Sequence, residues 1–294
     1  MSSSVPSTLL NISQHITIYV DSAIFFVGVI GCLLNMIVLF TLRTFRENPS
    51  GFYMTVMSFI NIGSLMIGLL SRILISGFGI NWTVTSSFFC KFRWYCIQFF
   101  VLSSFTCTSL MAIDQYFATS HRLQWQQWSN LRVARRLMVT FILIWLLHGI
   151  PYLVFFNIIT SPITGQVTCS SVNPIYQQYH IFGYLITLAG IVPLIVTSVF
   201  GFLAYINTQN LAHRAIPRIQ RQLDKQLTAM VLNQFLYNFI FTCPYTILTI
   251  PISVLPVIID PILSAGLNFA YVMAILLYYL SFAVSVDLVI LSSS

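Results

Sequence analysis

Seven long apolar segments, separated by short polar connections, constrain this chain more than any other feature. A helix of about 20 apolar residues can cross the hydrocarbon core of a bilayer. Only 6% of the residues are charged, against about a quarter in soluble domains. The sequence therefore predicts an all-α membrane protein built as a bundle of seven helices. The predicted membrane segments are residues 19–42, 52–75, 88–119, 137–156, 180–206, 226–252 and 262–291.

Basic residues predict the orientation of these helices. Ten lie in the connections after the first, third and fifth helices, and three lie on the other side of the predicted bundle. Cytoplasmic loops carry an excess of Lys and Arg, so we expect an outside N-terminus and a cytoplasmic C-terminus. The predicted organisation is an extracellular tail (1–18), a seven-helix domain (19–291) and a short cytoplasmic C-terminus (292–294). The three outer basic residues are Arg72, Lys91 and Arg93; the ten inner ones are Arg43, Arg46, Arg122, Arg132, Arg135, Arg136, Arg214, Arg218, Arg221 and Lys225.

The net charge of +7 mostly follows from this topology. Because the basic residues are scattered over three membrane loops, they favour contact with anionic lipid of the inner leaflet over nucleic acid. The N-terminal residues lack the basic region and short apolar core of a cleaved signal peptide. We therefore expect the first helix to act as the targeting signal.

Two cysteines and a glycosylation sequence fall on the predicted outer side. Cys90 begins the third segment and Cys169 lies in the second outer loop. Disulfides persist on the oxidising side of the membrane, so we expect a Cys90–Cys169 bond that folds this loop over the bundle. Asn11 is the better of two candidate N-glycosylation sites, because the second, Asn81, is predicted to lie close to the membrane. The other four cysteines fall inside helices and are expected to pack there.

A set of landmarks recurs along the whole chain in a fixed order and spacing. They are Asn35 in the first helix, Trp82 eight residues before Cys90, Asp114-Gln115-Tyr116 24 residues after Cys90, Trp145 in the fourth helix, Pro193 in the fifth and Cys243-Pro244 in the sixth. Their joint order and spacing resemble those of the rhodopsin-like (class A) G-protein-coupled receptors.

The chain also departs from that family's pattern. Gln115 stands where the family has an arginine, and Thr242 stands where a tryptophan is usual. The second helix has Asn61 and Ser64 near the depth of the family's buried aspartate, so we do not expect its sodium site. The last helix lacks Asn-Pro-x-x-Tyr, and its nearest segment begins at Asp287.

The resemblance implies a receptor of the plasma membrane that binds an extracellular ligand and signals to a heterotrimeric G protein. It places Asp114, Gln115 and Tyr116 on the coupling surface. An ordinary ion pair between Asp114 and Arg122, Arg135 or Arg136 is the alternative interpretation. Pro193 and Pro244 are predicted to kink the fifth and sixth helices, because a proline inside a helix removes a hydrogen bond.

The outer half of the bundle is the predicted ligand pocket, since such sites form between bundle helices. Ile97 stands where amine receptors of this family carry an aspartate, which argues against a monoamine. The seventh helix has no lysine for a retinal Schiff base, so no cofactor is expected, and no metal site is predicted. The interpretation is an aromatic pocket without a strong charge, suited to a peptide, lipid or odorant. Its predicted residues are Trp94, Ile97, Gln98, Val101, Tyr245, Thr249 and Tyr271.

Two other interpretations stay open at this point. A seven-helix receptor that does not couple fits the departures from the family pattern. A small transporter or channel subunit fits less well, because transporters place ion and substrate sites near the bilayer midplane and no charged residue is predicted there. Asp21 is predicted at the outer end of the first helix, and only Asp114 and Asp287 as acids within the membrane. Catalytic motifs such as Gly-x-Ser-x-Gly or His-Glu-x-x-His are absent from the sequence, so an enzyme is not expected.

Overall fold

The computed structural model is a bundle of long helices, and it describes residues 4–42, 46–160, 167–210, 218–254 and 261–284. Helices α2 and α5 are built from consecutive α and π segments. A short helix, Leu123–Gln126, lies between α3 and α4. The long helices are α1 (Ser4–Thr41), α2 (Pro49–Ser64, Leu65–Leu69, Leu70–Arg72 and Ile73–Gly77), α3 (Ser87–Thr119), α4 (Leu131–Phe155), α5 (Pro174–Gln178, Tyr179–Ile191 and Val192–Asn210), α6 (Arg218–Val254) and α7 (Pro261–Val284).

Six of these helices are long and apolar enough to cross a membrane: α1 to α5 and α7. The described part of α6 falls below that level because amides such as Gln234 and Asn238 interrupt its apolar sequence. Both side chains are buried, and the Gln234 amide donates a hydrogen bond to Asn238 at 3.4 Å. These two amides therefore lie inside the bundle, whereas the neighbouring Asn233 is exposed. Exposed apolar side chains such as Val27 and Leu147 fit contact with lipid. The chain is a helical membrane protein.

Helix α1 begins at Ser4, well before the predicted start at residue 19. Pro6 lies in its first turn, where a missing backbone N–H costs no helical hydrogen bond. Further along, the Gln14 amide donates to the carbonyl of Gly77 at 2.8 Å. The segment predicted as an extracellular tail is therefore mostly helical, and it is anchored to the end of α2.

Helix α2 starts with a cap that the sequence encodes. The Asn48 side chain accepts a hydrogen bond from the Ser50 backbone N–H, and Pro49 occupies the first turn. Two π segments, Leu65–Leu69 and Ile73–Gly77, then widen the helix toward its C-terminal end. Because a π turn holds an extra residue, it changes which side chains face the bundle.

Buried polar side chains connect the helices at mid-depth. The Asn35 amide of α1 donates to the Ser58 hydroxyl at 2.7 Å. Asn61 of α2 accepts from the Ser104 hydroxyl at 2.6 Å and donates to the carbonyl of Phe282 at 3.3 Å. Asn61 thus joins α2 to both α3 and α7. Buried groups of this kind stabilise a bundle because leaving them unpaired is costly.

The two predicted kink residues lie within helices. Pro193 is the second residue after the π segment Tyr179–Ile191 of α5, and Pro244 lies inside α6. Helix α5 continues through Pro193 to Asn210, although proline has no backbone N–H to donate. The kinks themselves stay predictions.

Helices α1 and α7 approach each other closely at Gly28. A Cβ atom added there would lie 2.8 Å from the Cβ of Ala283 and 3.2 Å from its Cα. Because the second neighbour is backbone, the helices must separate to admit a methyl group. We expect Gly28→Ala to cost about 1–3 kcal/mol by overpacking.

The matched control for Gly28→Ala is Gly266→Ala in α7, where an added Cβ meets no atom within 4 Å. Thermal unfolding can be followed with a thiol-reactive dye, since Cys32 and Cys107 are buried free thiols. Gly28→Ala should unfold at a lower temperature than the unmutated chain, and Gly266→Ala should not. Equal unfolding temperatures for all three proteins would contradict the close approach of α1 and α7.

Candidate ligand pocket and inner polar network

A hairpin covers one end of the bundle, which we call the outer end after the predicted topology. Strands β1 (Phe156–Thr160) and β2 (Val167–Ser171) pair antiparallel, with Ile158 opposite Cys169. A disulfide joins Cys169 to Cys90 in the first turn of α3, with Cα atoms 5.6 Å apart. The expected bond is present in the structure, and it holds β2 over the space between the helices.

Beneath β2 lies a cavity of about 290 Å³, which we call the outer cavity. Its walls come from α2, α3, α5, α6 and α7, from the loop after α2 and from β2. Most of its lining is aromatic or aliphatic. The residues that define it are Arg72, Ile75, Ser76, Asn81, Thr83, Val84, Arg93, Trp94, Ile97, Val167, Thr168, Cys169, Tyr184, Leu185, Tyr245, Tyr271, Ile275, Tyr278 and Tyr279.

Four of the seven predicted pocket residues line the outer cavity: Trp94, Ile97, Tyr245 and Tyr271. Three do not. Gln98 is buried toward α4, where its amide donates to the carbonyl of Trp145 at 3.4 Å. Val101 is buried in the apolar core. The Thr249 hydroxyl turns back to the carbonyl of Tyr245 at 2.7 Å. The rotation of each helix about its axis determines whether these side chains face the cavity. Sequence spacing alone does not give that rotation.

The sequence interpretation missed three tyrosines of the cavity wall: Tyr184, Tyr278 and Tyr279. The Tyr245 ring lies 4.6 Å from the ring of Tyr278 and 5.8 Å from the ring of Tyr271. Tyr271 and Tyr278 are seven residues apart, so a helix places them on one face. The spacing of Tyr271 and Tyr278 could therefore have identified Tyr278 as a pocket residue from the sequence. These tyrosines connect α6 to α7 at the base of the cavity.

The prediction of a pocket without a strong charge is wrong. Arg72 and Arg93, assigned from sequence to the outer surface, both line the outer cavity. The Arg93 Nε donates to the Ser71 hydroxyl at 2.6 Å, and its guanidinium lies 5.6 Å from the centre of the Trp94 ring. Cation–π contact and hydrogen bonding hold this side chain against the wall.

Asp21 is also misplaced by the sequence interpretation, which put it at the outer end of the first helix. In the structure its side chain is fully buried, and it accepts a hydrogen bond from Arg72 Nε at 3.0 Å. The two residues form a salt bridge between α1 and α2. The second Asp21 oxygen and the Arg72 Nη2 are buried without a hydrogen-bond partner. Asp21 is therefore an acid inside the bundle.

Asp114 and Gln115 lie at the opposite end of the bundle, which we call the inner end. They belong to what we call the inner polar network: Ser50, Asp114, Gln115, Ser129 and Thr228. Asp114 accepts from the hydroxyls of Ser50 at 2.7 Å and Ser129 at 2.8 Å. Gln115 donates to the Ser50 hydroxyl at 2.7 Å and accepts from the Thr228 hydroxyl at 3.4 Å. The network joins α2, α3, α6 and the loop before α4.

The alternative of an ion pair at Asp114 does not hold among the described residues. Both of its oxygens accept from serines, and Arg122, Arg135 and Arg136 are exposed. Tyr116 is half-buried, and its ring packs edge-on against Trp125 and Phe200. Of the three predicted coupling residues, Asp114 and Gln115 are buried, so Tyr116 alone is partly accessible.

The two glycosylation sequences differ in surroundings. Asn11 is exposed on α1. Asn81 lines the outer cavity, and its side-chain oxygen accepts from the Thr83 backbone N–H at 3.2 Å and hydroxyl at 2.6 Å. The Ser13 hydroxyl of the first sequence also bonds locally, to the carbonyl of Leu9 at 2.8 Å, so the preference for Asn11 stays a prediction.

No group of three or more His, Cys, Asp or Glu side chains lies close enough to hold a metal ion in the part of the chain that the structure describes. The arrangement instead offers a partly open outer cavity, two arginines and a tyrosine cluster that bridges α6 and α7. Such a cavity can accommodate a small ligand in contact with both helices.

Comparison with known proteins agrees with this architecture. No curated protein sequence matches the chain. The family model of the 7 transmembrane receptor (rhodopsin family) matches residues 31–285, which include the disulfide cysteines, the outer cavity and the inner polar network. The match covers most of the chain, and the protein therefore belongs to the rhodopsin family of seven-transmembrane receptors.

Proposed function

We propose that the protein is a receptor that binds an extracellular ligand in the outer cavity and signals to a heterotrimeric G protein. It would span the plasma membrane seven times, with α6 as the sixth span and the N-terminus outside. The observation that carries the proposal is the outer cavity itself, roofed by the disulfide-linked β2 and lined by α6 and α7. Family membership supports the direction of signalling.

The contacts inside the bundle support a specific route for the signal. Tyr245 of α6 stacks with Tyr271 and packs on Tyr278 of α7, directly at the cavity wall. A ligand that prefers one arrangement of these rings shifts the population of α6 positions. The inner end of α6 is joined to α3 through the Thr228–Gln115 hydrogen bond. Outward movement of α6 would break that bond and open the inner surface.

The weakness of that bond makes Gln115 the determinant of coupling. Its donor–acceptor distance is 3.4 Å and both partners are neutral, whereas charge-assisted hydrogen bonds are roughly twice as strong. A second candidate function, a receptor that binds ligand without coupling, follows from the same residue. Gln115 is buried and bound to Ser50, so it offers the G protein less than an arginine would.

We expect Gln115→Arg to raise ligand-stimulated nucleotide exchange roughly three- to tenfold, with little change in basal exchange. The gain arises because an arginine supplies a charge-assisted contact in the active complex. Exchange of GTP on purified heterotrimers would be measured with ligands obtained by screening peptide and lipid libraries. Gln115→Met keeps the size and removes the amide, so it controls for loss of the resting contact.

Two outcomes would separate the candidates. High basal exchange in the unmutated chain, suppressed by Gln115→Arg, would show that the resting contact dominates and contradict the expected order of effects. Ligand binding without exchange in either protein would favour the receptor that does not couple.

A further inference from the structure

Arg93 has no acidic partner among the described side chains. Arg72 pairs with Asp21, so its charge is balanced within the bundle. Arg93 instead bonds a serine hydroxyl through Nε and faces the Trp94 ring. The described wall of the outer cavity therefore carries one positive charge without a balancing carboxylate.

An arginine without an acidic partner on a cavity wall favours binding of an anionic ligand. A charged side chain within a bundle that spans the membrane costs free energy unless it is paired. With Nε held by Ser71, the two Nη groups of Arg93 remain for a ligand. A guanidinium fork matches carboxylate and phosphate oxygens in geometry as well as in charge.

A second space meets the outer cavity at Arg93. This lateral groove has a volume of about 170 Å³ and lies between α2, α3 and the loop after α2. Arg93, Ile75 and Thr83 wall both spaces. The remaining lining of the groove is almost entirely apolar, namely Met66, Ile67, Leu70, Leu74, Ile80, Trp82, Phe89 and Phe92, together with Ser71.

The groove opens onto the outside of the bundle. Trp82 is 53% exposed, Phe89 47% and Phe92 40%. In a membrane protein such exposed aromatic and aliphatic side chains face lipid. The arginine therefore lies where a space inside the bundle adjoins an apolar space beside it.

We propose that the ligand is a single-chain amphiphilic anion. Its carboxylate or phosphate headgroup binds Arg93 in the outer cavity, and its hydrocarbon chain lies in the lateral groove. The signalling consequence rests on the proposed receptor function, whereas binding does not. A short soluble anion would leave the groove unused, and a neutral lipid would leave Arg93 unpaired.

The test is equilibrium binding to the full chain in lipid nanodiscs. Oleate and oleoyl lysophosphatidate distinguish the two headgroups. Oleamide and monooleoylglycerol are their neutral counterparts, and butyrate and glycerol phosphate are their short-chain counterparts. We expect at least one long-chain anion to bind roughly 10- to 100-fold more tightly than its neutral counterpart. We also expect it to bind at least about 100-fold more tightly than its short-chain counterpart.

Variants assign the two parts of the site. Arg93→Gln should weaken binding of the long-chain anion roughly 10- to 100-fold, and Lys91→Gln should not. Lys91 is the matched control because it lies on the same helix and lines neither space. Phe92→Ala should weaken binding roughly five- to tenfold, while Phe26→Ala on α1 should have no effect. Arg93→Lys keeps the charge but lacks the fork, so an intermediate loss is expected even if Arg93→Gln fails to reach the membrane.

Equal affinity for the anions and their neutral counterparts would overturn the proposal, as would equal losses for Arg93→Gln and Lys91→Gln. Equal affinity for long and short anions would overturn it as well. If these anions bind in a way that depends on Arg93 but do not stimulate nucleotide exchange, the ligand-site proposal stands and the proposed G-protein coupling is contradicted. If another ligand stimulates nucleotide exchange and these anions do not bind, the proposed coupling stands and the ligand-site proposal is contradicted.

Discussion

Asp21→Asn should strongly destabilise the protein, by about 3–5 kcal/mol, because removing one partner of a buried ion pair leaves the other charge uncompensated. The Asp21 side chain is fully buried, and its oxygen lies 3.0 Å from Arg72 Nε. Arg72→Gln should have an effect of similar size for the same reason. Thermal unfolding in the absence of ligand, followed through the free thiols of Cys32 and Cys107, measures both.

The double variant Asp21→Asn, Arg72→Gln removes both charges and should recover much of the loss. Each single change leaves a buried charge, and the double change leaves none. Arg132→Gln is the matched control, since Arg132 is exposed at the inner end of α4. Additive losses in the double variant would mean that the two residues do not stabilise the bundle as a pair.

Loss of the disulfide has the second large expected effect. Cys90→Ala or Cys169→Ala should each cost about 2–5 kcal/mol and sharply lower the amount of protein at the cell surface. The bond closes a long stretch of chain, with a sequence separation of 79, and it holds β2 over the outer cavity. An N-terminal epitope tag stained on intact cells measures surface expression and also tests the proposed outside N-terminus.

The double variant Cys90→Ala, Cys169→Ala should be no worse than either single variant, because both changes break the same bond. Cys96→Ala is the control, since Cys96 is a free cysteine on the same helix. A double variant with clearly lower expression than both singles would contradict a shared role for the two cysteines.

The amino-acid sequence determined the class of architecture and the outline of the outer site. Long apolar segments and very few charges require a helical membrane bundle, because backbone polar groups in lipid must be bonded within the segment. The pairing of Cys90 with Cys169 followed from their shared predicted side of the membrane. Trp94, Ile97, Tyr245 and Tyr271, which spacing assigned to one pocket, line the same cavity in the structure.

The start of helix α1 and the low mean hydropathy of α6 were harder to interpret from the sequence. The polar residues before position 19 were predicted to form an extracellular tail. In the structure, α1 begins at Ser4, and the Gln14 side chain donates a hydrogen bond to Gly77 at the end of α2. Amide side chains lower the hydropathy of α6, and two of them, Gln234 and Asn238, are buried inside the bundle and hydrogen-bonded to each other. In both cases contacts between helices override the local composition.

Only the tertiary structure decided the charge of the ligand site. Hydropathy placed Asp21, Arg72 and Arg93 near helix ends, where a side chain can face water, lipid or a neighbouring helix. The choice depends on helix rotation, and in α2 on two π segments that flank Arg72. Packing turned Arg72 toward Asp21 and left Arg93 on the cavity wall without a described carboxylate. Sequence periodicity fixes which residues share a helix face, but only the packing of the other helices determines what that face meets.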